Sequence, residues 1–151
     1  MSDALKLWCE ELKSGRIIID VGAYLGIYSI VAAKLGARKV ISIEQNQRVF
    51  QQLKRNLGLN SCTSTGEIYE VAVGAEETEV SLTTPKNRPL SGAAKIAQSG
   101  DKKTPKDLNQ LLKVPITTLK ALLTGNHNQV SIIKIDAEDY ELSVLRGQLV
   151  S

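Results

Sequence analysis

The stretch "IIIDVGAYLG", Ile17 to Gly26, sets three signals in a row: an apolar β-branched run, a carboxylate near its end and a glycine-bearing loop. Arg16 to Val21 suits a buried parallel strand, because such strands are covered on both faces and need not alternate. From Gly26 to Leu35, residues Ile27, Ile30, Val31 and Leu35 recur at helical spacing, and Gly36 fits a left-handed stop. An acid at a strand tip beside bare backbone asks for a ligand with donor or cationic groups.

Working outward, "KVISIE" gives a second strand, Lys39 to Glu44, and Asn46 is a good cap for a helix whose Val49, Phe50, Leu53 and Leu57 share one face. A third strand is expected from about Ile68 to Val73, and Thr78 to Thr84 alternates like a partly exposed one. "VPITTLKALL" (Val114–Leu123) reads as a short strand and a helical turn. "VSIIKID" (Val130–Asp136) is an apolar strand that again ends in an acid, with a further helix beginning near Tyr140. Strand and helix in alternation are the rhythm of an α/β, doubly wound parallel sheet. Upstream, Leu5, Trp8 and Leu12 make Met1 to Gly15 an amphipathic helix rather than a signal peptide.

With 151 residues, 42% apolar and 23% charged, the chain reads as one domain, 1–151. No apolar run approaches the ~20 residues of a membrane span, so no membrane partner is expected and the expected location is the cytoplasm. A net charge of +3, with one Phe and one Trp, gives little to attract or stack a nucleic acid. Cys9 and Cys62 stand far apart without a neighbouring histidine, so neither a metal site nor a disulfide is expected. The rhythm breaks over 85–113, where three prolines and seven cations (Lys86, Arg88, Lys95, Lys102, Lys103, Lys106, Lys113) face only Asp101 and Asp107. This reads as a flexible basic insertion, either a solvated loop or a lid that attracts an anionic substrate.

Ligands of open parallel sheets lie beyond the carboxyl ends of the strands. There Asp20, Glu44 and Asp136 are expected at one edge, with Glu138 just beyond. Glu44 follows Asp20 at an offset near the ~20 residues at which a second-strand acid holds a ribose diol. Carboxylates accept and do not donate, which suits vicinal hydroxyls. A dinucleotide fingerprint would need a second glycine where Tyr24 stands, and Asp20 suits an ammonium or sulfonium better than a phosphate. S-adenosyl-L-methionine, with its ribose, amino group and cationic sulfur, therefore fits better than NAD. His127, roughly 20 Å from Asp136 along an extended strand, reads as part of a surface turn.

The segments "DVGAYLGIYSIVAAKLG", "VISIEQNQRVFQQLKRNLGLN", "VAVG", "VPITTL" and above all "IIKIDAEDYELSVLRG" resemble, in order, those of the FkbM-type S-adenosylmethionine-dependent methyltransferases. The resemblance runs from about Ile17 to Gly147, with 85–113 unmatched. It implies a Rossmann-like class I methyltransferase sheet that lacks the last three strands of the order 3-2-1-4-5-7-6. It also implies that Asp20 and the loop Gly22, Ala23 to Gly26 hold the methionine part of the donor. Glu44 would grip the ribose, Gln45 and the Val71–Ala72 region would border the adenine, Asp136 would sit near the reactive methyl, and Glu138 near the acceptor.

Asp136 or Glu138 would be the catalytic base for an alcohol acceptor; alternatively Asp136 only orients the donor and Glu138 caps a helix. Tyr24 replaces a common Asn, Asp139 a usual Gly, and Lys120 the acid of a typical "TLD". The expected activity is O-methylation of a small-molecule or sugar-like acceptor, with a homodimer across the open edge of the Val130–Asp136 strand. The alternatives are a truncated non-catalytic binding or interaction module and an NAD-linked oxidoreductase.

Overall fold

The computed structural model describes residues 3–12, 15–85, 95–96, 108–123, 130–137 and 140–149. Glu138, Asp139, His127 and most of the expected insertion lie outside them.

Helix α1 (Asp3–Glu11) precedes strand β1 (Ile17–Val21), helix α2 (Ile27–Lys34), strand β2 (Lys39–Ile43), helix α3 (Gln47–Leu59) and strand β3 (Gly66–Tyr69). Then come β4 (Ala72–Val73), β5 (Thr78–Pro85), β6 (Lys95–Ile96), β7 (Leu108–Thr117), α4 (Leu119–Leu122), β8 (Val130–Ile135) and α5 (Glu141–Leu149). The main sheet has the order β3-β2-β1-β8, and every pairing in it is parallel. Every residue of β1 is buried, the environment that its unbroken Ile-Ile-Ile run demands.

Alternate residues of these strands sort to two faces. Ile18, Val40 and Ile132 pack with Trp8 of α1 and Ala32 of α2, while Ile68 meets Leu53 and Leu57 of α3. On the other face Ile17, Ile19, Val21, Ile41 and Ile43 meet Leu119 and Val144 of α4 and α5. The sheet is thus covered on both sides, and the doubly wound α/β reading holds.

Two expectations differ. The strand read over Ile68–Val73 is broken: β3 stops at Tyr69, and Ala72 and Val73 pair with Ile116 and Thr117 in a second sheet of order β4-β7-β5-β6. The last residues of the expected insertion also fall in a strand. Residues Leu108–Lys113 continue β7 and run antiparallel to β5, from Pro85↔Leu108 to Ser81↔Lys113. A solitary β5 would leave a row of backbone donors and acceptors without ladder partners, and β7 supplies them.

Candidate functional site

The tips of β1, β2 and β8 meet at one edge. Where β1 ends, the loop folds over β2: the N–H groups of Gly22 and Ala23 both donate to the carbonyl of Ile43, at 3.0 and 2.9 Å. Gly22 has φ +70°, and a Cβ there would lie 1.9 Å from the carbonyl oxygen of Asp136. Only glycine lets the tips of β1 and β8 come this close. Tyr24 is left-handed too (φ 52°), a conformation that Asn tolerates better than an aromatic residue does. Its N–H donates to Glu44 Oε2 at 3.0 Å.

Glu44 lies just past β2 and is only 5% exposed. Its second oxygen, Oε1, accepts the N–H of Asn46 at 2.8 Å. Burial pushes its carboxyl above the ordinary value; the N–H groups of Asn46 and Tyr24 and the Lys134 ammonium oppose that shift, and Asp20 adds to it. An ionised carboxylate has roughly four acceptor positions. With one backbone N–H on each oxygen, both oxygens retain room for one more donor.

Asp20 is wholly buried and does not face an open pocket. Its Oδ2 accepts the Ser29 hydroxyl of α2 at 2.7 Å, and Ser42 Oγ lies 2.7 Å from Ser29 Oγ. Oδ1 has no well-directed hydrogen bond; the Lys134 ammonium at 3.1 Å compensates it as an ion contact. Where an incoming cation was expected opposite Asp20, the chain's own cation stands.

Lys134 was not singled out in the sequence, yet it sits at the centre. Its Nζ also donates to the Gly22 carbonyl at 3.0 Å, lies 3.8 Å from Asp136 Oδ2 and stands 5.0 Å from the centre of the Tyr28 ring. The available signal was a lone cation in the apolar run Ser131–Ile135; Asp20, its register partner in β1, becomes visible only once the strands are paired.

Asp136, by contrast, keeps its side chain 66% exposed. Beside it a groove of about 390 Å³ runs past Ile133, Tyr28, Trp8 and Leu7. Gln45 is half-buried between Glu44 and the cap of α3, and Val71 is half-buried after β3. Ala72 packs with Val114 and Ile116 of the second sheet. No side chain caps the first turn of α2, which begins at the left-handed Gly26. Glu141, in the first turn of α5, takes up the Ala137 N–H at 2.9 Å. Among the described residues no group of three or more His, Cys, Asp or Glu side chains is placed to hold a metal, and no helix is long and apolar enough to cross a membrane.

Comparison with known proteins adds three findings. A family profile described as "Methyltransferase FkbM domain" matches residues 20–151. The ribosomal protein L11 methyltransferase of Vibrio campbellii is 38% identical over 63 residues, 41% of this chain and 21% of that protein. That of Aquifex aeolicus is 39% identical over 56 residues, 37% of this chain and 23% of the relative. The chain thus spans about a fifth of the length of the curated relatives it matches. Among solved structures, the methyltransferase FkbM from Methylobacillus flagellatus KT superposes with a TM-score of 0.57 at 16% identity, covering 94% of this chain and 35% of the other, a likeness of fold.

Proposed function

The chain belongs to the FkbM methyltransferase family, and from that premise we propose that it forms the donor-binding part of a methyltransferase that uses S-adenosyl-L-methionine and acts on an oxygen of a small-molecule or sugar-like acceptor. The observation that carries this reading is Glu44: a buried carboxylate at the tip of β2 with both oxygens fixed by backbone N–H groups and both still able to accept. A rigid acceptor pair of this kind suits the two neighbouring hydroxyls of a ribose.

The other residues fit the same ligand. Tyr24 and Leu25, more than a third exposed, sit on the loop where the methionine part would lie, before the uncapped start of α2, whose dipole favours a carboxylate. Gln45 and Val71 border the place of the adenine. Asp20 contributes from beneath, holding α2 through Ser29 and the loop through Lys134. When bound, the donor supplies an electrophilic methyl on a cationic sulfur. The chain's task is to align the acceptor oxygen and to take its proton, which falls to the exposed Asp136 or to Glu138.

Calorimetric titration with S-adenosylhomocysteine tests the site. Wild type should bind and Glu44→Ala should lose most of the affinity; equal heats would remove Glu44 from it. For Asp136→Asn, unchanged turnover at saturating donor would leave Asp136 an orienting role alone. Among the described residues no strand lies on the outer side of β8, which supports a second copy pairing there; sedimentation across a concentration series would detect it.

A further inference from the structure

The geometry points to Lys134 as the positioning residue of the donor pocket: one ammonium pins the loop that meets the donor and sets the charge the donor encounters. This rests on the donor-site reading above and assigns within it a residue that touches the pocket's framework rather than the ligand. An ammonium has three donors. Here one hydrogen bond goes to the Gly22 carbonyl at the start of the loop, and the same charge makes ion contacts with Asp20 Oδ1 inside β1 and, more loosely, with Asp136 Oδ2 at the exposed tip. The Lys134 side chain is 16% exposed and that of Asp20 0%, so this part of the contact lies largely out of water and holds its geometry. Tyr28, lying against the ammonium, closes the side toward α1, where Trp8 meets it edge-on.

Two consequences are separable. Fixing the Gly22 carbonyl fixes the peptide planes that follow, and so the direction of the Tyr24 N–H that Glu44 receives. The positive charge also offsets Asp20, leaving Asp136, in looser contact at 3.8 Å, as the acid among the described strand-tip residues most open to a ligand's cation. With the lysine neutralised, an unbalanced buried carboxylate would add to the pull on a sulfonium without changing the pull on a neutral thioether.

The test uses the whole 151-residue chain with two variants, Lys134→Met and the pair Asp20→Asn/Lys134→Met; the pair removes the stranded charge if the single variant folds poorly. Amide hydrogen exchange without ligand should be about tenfold faster over residues 22–26 in both variants, and unchanged in β2 of the pair. Calorimetry with S-adenosylmethionine and S-adenosylhomocysteine should show the ratio of affinities moving toward the sulfonium by about tenfold in Lys134→Met and returning to the wild-type value in the pair. A merely structural lysine would weaken both ligands alike. Loop exchange equal to wild type in the pair overturns the anchoring, and an unchanged ratio in a folded Lys134→Met overturns the charge role. Should wild type take up neither compound, the donor reading fails along with the charge role, while loop exchange still decides the anchoring.

Discussion

Gly22 illustrates how tightly a single residue is held at this site. Its φ of +70° and the Asp136 carbonyl 1.9 Å from a would-be Cβ leave no room for alanine, and the obstacle is backbone. Gly22→Ala should lower the unfolding free energy by about 2–4 kcal/mol, read from the urea midpoint at constant m. Glu44 carries the pH dependence. Burial raises its folded pKa, so the folded state binds protons more readily than the unfolded one; the stability this contributes is present below about 4.5 and is lost as pH rises through the folded value. A diol needs the ionised form, so affinity for S-adenosylhomocysteine should fall as pH drops through the raised pKa. Calorimetry between pH 4.5 and 8 checks this, and Glu44→Gln should flatten the profile. The acids Asp20, Glu44 and Asp136 were legible because each closes an apolar run. The partnership of Lys134 with Asp20 was not, because strand register is a property of the paired sheet.

At the scale of elements, the start of α3 was easy to read. Asn46 caps α3 as its sequence position suggests, its Oδ1 accepting the N–H groups of Arg48 and Val49 at 3.1 and 3.4 Å. Asn46→Ala should cost about 1 kcal/mol of stability in chemical denaturation. The α2–α3 contact makes a sharper case, since a Cβ on Gly26 would lie 2.6 Å from Leu53 Cδ1. Leu53→Ala alone should cost about 3 kcal/mol, and Gly26→Ala should be distinctly less harmful in that background than in wild type. A double-mutant cycle measures this, and full additivity would contradict the contact. The break between β3 and β4 escaped the sequence because Ile68 to Val73 keeps a strand-like pattern through it. Both sheets ask for the same alternation, so period alone cannot say which of them a residue joins.

Over the whole molecule, the two sheets are joined where α5 crosses the turn after β4. A Cβ on Gly147 would lie 2.3 Å from the Gly74 carbonyl, and one on Gly74 would press on Ile116 and Tyr140. The Ala75 N–H donates to Ser143 Oγ at 3.2 Å across the same seam. Gly147→Ala should therefore lift α5 away and cost about 2 kcal/mol or more, seen as a lower midpoint in thermal unfolding. The parallel order of the main sheet was legible from the alternation of strands and helices, as handedness and short connections leave few topologies. The second sheet was not, because its pairing joins segments on either side of a polar stretch with little pattern of its own. The chain has a single tryptophan, and it touches this frame: the Trp8 indole N–H donates to the Tyr28 carbonyl at 3.1 Å, and its ring meets Tyr28 at a centroid distance of 5.6 Å. Because Lys134 lies against that tyrosine, intrinsic emission on excitation at the red edge of indole absorbance becomes a built-in optical gauge of the strand tips, legible without any added dye.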